Sequence, residues 1–137
     1  MDTLSIERIW EDTDFFQIEV LAQSEHIYAK TRSYTNVALI NELSSRLATF
    51  PQRINDRYKW ENGIKGDSST PFVSFEFWCE DKLGHILVEV YMEIDDGASY
   101  DVHNCCLFIR TEIGLLNDFG KELASLNEEG VGKNVTL

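Results

Sequence analysis

Between Pro71 and Asp96 the chain reads "PFVSFEFWCEDKLGHILVEVYMEIDD". Two alternating runs flank a short polar turn that contains Gly84, which is the pattern of a β-hairpin. If Cys79 faces Ile86, then Phe77 meets Val88, Phe75 meets Val90 and Val73 meets Met92. All eight side chains are apolar, so they form a core face. The opposite face pairs Trp78 with Leu87, Glu76 with Glu89, Ser74 with Tyr91 and Phe72 with Glu93. A slip of one residue would drive the glutamates inward, so the contrast between faces sets the register. No other stretch restricts the fold as tightly.

The remaining elements are read around this hairpin. "FFQIEVLA" (Phe15 to Ala22) and "IYAKTRSY" (Ile27 to Tyr34) read as two strands joined by "QSEH". Tyr28, Lys30, Arg32 and Tyr34 share one face of the second by the two-residue period. "TNVALINELSSRLATFP" reads as a helix, capped by Thr35 or Asn36 and ended by Pro51. Its apolar stripe is Leu39, Ile40, Leu43, Leu47 and Phe50. Residues 52–71, "QRINDRYKWENGIKGDSSTP", are expected to be a long loop, because glycine, asparagine, aspartate and serine punctuate them. "VHNCCLFIRT" reads as a fifth strand with His103, Cys105, Leu107 and Ile109 inward, since the other face would bury Asn104 and Arg110. Thr111 is expected to cap a last helix whose stripe is Ile113, Leu116, Phe119, Leu123 and Leu126. The tail "NEEGVGKNVTL" has no pattern and is expected to be loose. The order ββαβββα predicts a two-layer α+β fold, a mostly antiparallel five-stranded sheet with two helices on one face. With 137 residues, the chain suits a single domain, 1–137, with its core over about 15–126 and a loose tail over 127–137.

Charge narrows the partners. The net charge is −12, and it is uneven: residues 1–29 carry one basic and seven acidic groups, residues 30–59 six basic and two acidic. Such a surface repels nucleic acid and anionic lipid and attracts basic proteins. The acidic start "MDTLSIERIWEDTDFF" has no apolar signal-peptide segment, and no apolar run is long enough to span a bilayer. Three cysteines, two of them adjacent and none in a CxxC, argue for a reducing compartment. A cytoplasmic protein is expected.

The segment "EIDDGASYDVHNCC" gathers Asp95, Asp96, Asp101, His103, Cys105 and Cys106, but its spacings fit no established site. An EF-hand needs alternate oxygen ligands and a terminal glutamate, which are missing. Zinc needs paired Cys or His spacings, also missing. Cys105 and Cys106 point to opposite faces and do not precede a helix that would stabilise a thiolate. GxSxG, Walker and GxGxxG signatures are absent. Asp95-Asp96-Gly97 reads instead as a turn out of a strand. No catalytic residue, metal ligand or cofactor is therefore assigned.

The second face of the hairpin is the more informative surface. Phe72, Trp78 and Tyr91 lie there among Glu76, Glu89 and Glu93. Like charges directly across a sheet are unfavourable. Glu76 and Glu89 thus call for Arg110, another base, or a partner between them. Aromatic anchors in a charged rim describe a protein interface. Alternatively, the 52–71 segment covers this face with Arg57, Tyr58 and Trp60.

The long hairpin with its Gly84 turn, the next strand, and "TEIGLLNDFGKELASL" with Leu116, Phe119 and Leu123 resemble the small immunity proteins of bacterial polymorphic-toxin systems, of the WapI-like kind. The resemblance runs from about Phe15 to Leu126. It implies a non-enzymatic role, in which the protein binds a cognate, basic toxin domain and blocks it. On this reading the partner-binding residues are Glu76, Trp78, Glu89, Tyr91, Glu93, Asp95, Asp96 and Asp101, with the two rings as anchors and the carboxylates as steering groups. Two alternatives stay open: a homodimeric structural or adaptor domain that pairs through the aromatic sheet face, and a small-ligand binder or enzyme with a pocket between helices and sheet, for which a deep polar pocket holding His103 and Cys105 would speak.

Overall fold

The computed structural model describes residues 2–67, 69–97 and 103–137. It is α+β, but the strands form two antiparallel four-stranded sheets rather than one of five. The first sheet contains β1 (Thr3–Glu11), β2 (Phe16–Gln23), β3 (Tyr28–Thr35) and β8 (Asn134–Thr136), in the order β3-β2-β1-β8. The second contains β4 (Arg57–Asn62), β5 (Val73–Cys79), β6 (His85–Glu93) and β7 (Asn104–Glu112), in the order β4-β5-β6-β7. Helix α1 (Val37–Ala48) follows β3, α2 (Ile113–Leu123) follows β7, and a short α3 (Ser125–Glu129) leads to β8.

The hairpin register is the one the side-chain contrast demands, from Cys79 opposite Ile86 to Val73 opposite Met92. Three strands arise where no strand was expected. β4 lies within the supposed loop 52–71, and its residues alternate outward and inward, with Tyr58, Trp60 and Asn62 buried. β1 buries Leu4 and Ile6 and then breaks its own alternation, because the register shifts between Arg8 and Trp10. β8 pairs Val135 with Ile6 and buries it fully, so the tail is held rather than loose. The core thus extends beyond 15–126 at both ends.

The helices follow their stripes. Asn36 caps α1, its Oδ1 accepting the Leu39 N–H at 2.9 Å. The expected cap of α2 is replaced: β7 runs on through Thr111 to Glu112, which supplies no side-chain cap bond. The Ile113 N–H donates instead to the carbonyl of Gly84 in the hairpin turn, 3.0 Å away. That turn takes its shape from Gly84 at φ +91°, a left-handed conformation that glycine adopts without steric cost.

Both sheets and both helical stripes feed one hydrophobic cluster. Polar groups close the seams between the sheets. Asn62 Nδ2 donates to Ser33 Oγ (2.8 Å) and to the Tyr34 carbonyl (3.0 Å). Ser33 Oγ donates to the Pro71 carbonyl at 2.6 Å, and the Asp95 N–H donates to Thr31 Oγ1 at 2.9 Å. The buried Ser33 hydroxyl and the Asn62 amide nitrogen therefore find partners, which offsets part of the cost of removing them from water, while Asn62 Oδ1 is left without one. The guanidinium of Arg8 sits over the Phe16 ring at 4.0 Å and donates from Nη1 to the Leu126 carbonyl at 2.7 Å.

Helices α1 and α2 cross at Gly120. A Cβ built there would stand 2.7 Å from the carbonyl carbon of Leu47 and closer still to the amide nitrogen of Ala48. Ser44 Oγ donates to the Gly120 carbonyl at 2.7 Å, and Asn117 Nδ2 donates to the Leu47 and Phe50 carbonyls at 2.8 Å each. Asn117 thus adds donors to carbonyls at and just beyond the end of α1, where intrahelical donors run out. Because the atoms in the way are backbone, Gly120→Ala should lower unfolding free energy by roughly 1–3 kcal/mol, read from the urea midpoint. A variant as stable as the parent would show that the helices separate without cost.

Candidate functional site

The outer face of the second sheet carries no helix. Its residues form cross-strand rows. One row is Arg57, Trp78, Leu87 and Arg110; the next is Lys59, Glu76, Glu89 and Phe108; the third is Glu61, Ser74, Tyr91 and Cys106. Glu76 stands opposite Glu89 as the register requires. The base that relieves them is Arg57, not Arg110. Arg57 Nε donates to Glu76 Oε2 while its guanidinium lies 4.2 Å over the Trp78 ring. Arg110 Nε reaches Glu80 Oε1 instead, at 3.2 Å.

Strand β4 therefore changes what this face is. Tyr58 and Trp60 turn into the core, and Trp60 Nε1 donates to the Leu39 carbonyl at 2.9 Å, so neither packs over the outer face. Arg57 and Lys59 lie on it, and Lys65 Nζ sits 4.4 Å over the Tyr91 ring. Phe108, 42% exposed, meets Trp78 edge-on at 6.4 Å and 80°. The face is a mixed-charge surface set with three rings rather than a uniformly acidic one. Phe108 escaped notice in the sequence because attention fell on the inward residues of its strand. Of the three residues that the 52–71 segment was expected to lay over this face, Arg57 does lie there, and Lys59 beside it is an addition that the two-residue alternation of "RYKWEN" marks.

The eight expected binding residues do not all gather here. Glu76, Trp78, Glu89 and Tyr91 share the face. Glu93 does not present itself to a partner: it is 2% exposed, and its two carboxylate oxygens accept the N–H groups of Phe72 (2.8 Å) and Gly66 (2.9 Å). It is a clamp that ties Gly66 and Phe72 to the end of β6. Asp95 lies at the seam with the first sheet, in a hollow of about 310 Å³ lined also by Glu19, Lys30, Thr31 and Arg32. Asp96 Oδ2 stands 3.6 Å from His103 Nε2. Asp101 lies outside the described residues.

His103 was expected inward, but its side chain is 64% exposed, because β7 begins at Asn104. Cys105 does pack on the core and Cys106 faces outward. Burial, then the charge of Glu89, pushes the Cys106 thiol above its ordinary value; burial, then Asp56 and Asp81, does the same for Cys79. These thiols stay protonated at neutral pH, the opposite of what a nucleophile requires. Among the described residues no three His, Cys, Asp or Glu side chains converge as metal ligands. Nor is any helix there long and apolar enough to cross a membrane. Compared with protein families, curated proteins and solved structures, the chain matches none of them.

Two outcomes follow from these environments. Glu93→Gln replaces an acceptor with a donor against a buried N–H and should cost about 1–3 kcal/mol of stability. Glu89→Gln on the open face should stay within about 0.5 kcal/mol. Equal urea midpoints for the two variants would refute this division of roles.

At the hairpin turn, Asp81 Oδ2 and His85 Nδ1 are 2.6 Å apart. That hydrogen bond, then the carboxylate charge, raises the His85 titration; the same bond, then the Leu83 N–H, lowers that of Asp81. The histidine's contribution to stability is complete below its unfolded value and is lost as pH rises through the raised folded value. The aspartate's is complete above the ordinary carboxylate range and is lost as pH falls through its lowered value. The pair thus holds the turn best between about pH 4 and 6.5. Asp81→Asn should bring the His85 ring titration, followed by NMR, down toward about 6.5; an unmoved midpoint would rule the pairing out.

Proposed function

We propose that the protein is a non-enzymatic immunity protein that binds and neutralises a cognate basic toxin domain in the cytoplasm, with the outer face of the second sheet as its contact surface. One observation carries this reading: an antiparallel sheet face presents Trp78, Tyr91 and Phe108, each at least partly exposed, around Glu76 and Glu89. Rings of this kind contribute most of the binding free energy in protein interfaces, and a charged rim sets register. The net charge of −12 supports the same reading, since it would speed encounter with a basic domain. Arg57 and Lys59 at one edge favour a partner with at least one acidic group there, which adds specificity to attraction.

Self-association is the second reading, and the mixed charge of the face favours it. A two-fold arrangement could set Arg57 and Lys59 of one copy against Glu89 of another. Sedimentation velocity at low and high protein concentration separates the two readings.

The direct test is co-expression with basic C-terminal domains of large secreted proteins encoded by neighbouring genes. The parent chain should rescue growth. Trp78→Ala should weaken the complex about 10- to 100-fold, mainly through faster dissociation. Glu89→Lys should slow association, most visibly at low salt. Full affinity in both variants would place the interface elsewhere, and failure of the parent to rescue would overturn the proposal.

A further inference from the structure

A second group of exposed rings lies on the first sheet, far in sequence from the surface just described. Trp10, Phe15 and Tyr34 are 44%, 42% and 39% exposed. Three local devices bring them together. The register shift between Arg8 and Trp10 sets Trp10 opposite Gln17, which in turn faces Tyr34 on β3. Asp12 Oδ1 accepts the N–H groups of Asp14 (2.9 Å) and Phe15 (3.1 Å), a tight turn that returns Phe15 toward Trp10. Thr70 Oγ1 accepts the Tyr34 N–H at 2.9 Å and fixes the third ring's strand.

The rings are set across one another. Phe15 and Tyr34 cross at 85° with centroids 5.3 Å apart, Trp10 and Tyr34 at 79° and 5.8 Å, and Trp10 and Phe15 at 44° and 6.3 Å. Crossed rings cover less of one another's π surface than stacked rings do. With Ser69 and Thr70 they border a hollow of about 410 Å³ that no lysine or arginine lines. The connection between β1 and β2 that carries Phe15 adds exposed Asp12 and Asp14 to the rim, and Asp67 accepts the Ser69 N–H at 2.9 Å on the other flank. Arg32, two residues from Tyr34 on the same strand face, is paired with Glu19 at 3.6 Å, which leaves Asp12, Asp14 and Asp67 as the charges flanking the hollow.

We infer that the hollow between Trp10, Phe15 and Tyr34 is a binding site for the cationic side chain, arginine or lysine, of a basic protein partner. A cation is attracted by the ring faces and by the carboxylates of the rim, whereas an anion is repelled by both. The hollow is open, so it suits a side chain delivered by a docked surface better than a free molecule that must be enclosed. This site stands apart from the second-sheet face, and its test uses no toxin.

The probes are N-acetyl-arginine amide, N-acetyl-lysine amide and the neutral N-acetyl-norleucine amide, followed by a short basic peptide and its norleucine counterpart. Binding is read from the indole N–H signals of Trp10, Trp60 and Trp78 by NMR, with Trp10 assigned through Trp10→Phe. The charged probes should shift the Trp10 signal saturably, the basic peptide should do so at lower concentration, and added salt should weaken both. Tyr34→Leu and Phe15→Leu should each weaken binding about 3- to 10-fold. An unmoved signal from buried Trp60 would show that each variant keeps its fold, and the two substitutions at different rings guard against one that does not. Equal binding of the norleucine probes would overturn the inference in favour of a plain apolar patch. Absence of saturation, affinity unchanged in both leucine variants, or a response confined to Trp78 would overturn it outright.

Discussion

The close crossing of α1 and α2 is the contact on which the rest of the architecture depends. Each sheet ends in a helix, and the two halves share a core because those helices meet where Gly120 carries no side chain. Ser44 and Asn117 fix the crossing by donating to the Gly120 carbonyl of α2 and to the Leu47 and Phe50 carbonyls at the end of α1 and just past it. With the helices in place, Leu43 and Leu47 of one stripe and Leu116 and Phe119 of the other close over the inward faces of both sheets. The polar seam at Ser33, Asn62 and Pro71 then aligns the sheets more than it drives their association, since neutral hydrogen bonds add little net stability.

The sequence was most readable where two faces of one element differ strongly in chemistry. The β5–β6 register, the α1 stripe and the opposite orientations of Cys105 and Cys106 all follow from such contrasts. It was least readable where the inward residues are amphipathic or the period breaks. β4 buries Tyr58, Trp60 and Asn62, side chains that a hydrophobic pattern does not mark as core, between turn-forming residues. β1 loses its alternation at the Arg8–Trp10 irregularity, and Arg8 itself spends its charge on Leu126 and Glu11. β8 is three residues long and exists only because β1 offers it an edge. Missing those three strands turned two sheets into one.

The same omission distorted the surface. With 52–71 taken as loop, the second-sheet face looked acidic. With β4 in place, Arg57 neutralises Glu76, and Glu93 proves to be an internal clamp for backbone amides. A glutamate on the polar phase of a strand is thus no guide to exposure when a segment from earlier in the chain donates its amides to it. The proposed immunity role rests on the rings and on overall charge more than on any local run of carboxylates.

The pairing of β8 with β1 has a consequence for biogenesis. Leu137 donates to the Leu4 carbonyl at 2.8 Å, and Ser5 faces Thr136, so segments from opposite ends of the sequence are zipped side by side. During synthesis, the outer edge of β1 stays without its partner until residues 134–136 have left the ribosome, although its other edge can join β2 early. The nascent chain therefore carries an open strand edge from the emergence of β1 until β8 follows it, a period in which pairing with a neighbouring nascent chain competes with completion of its own sheet.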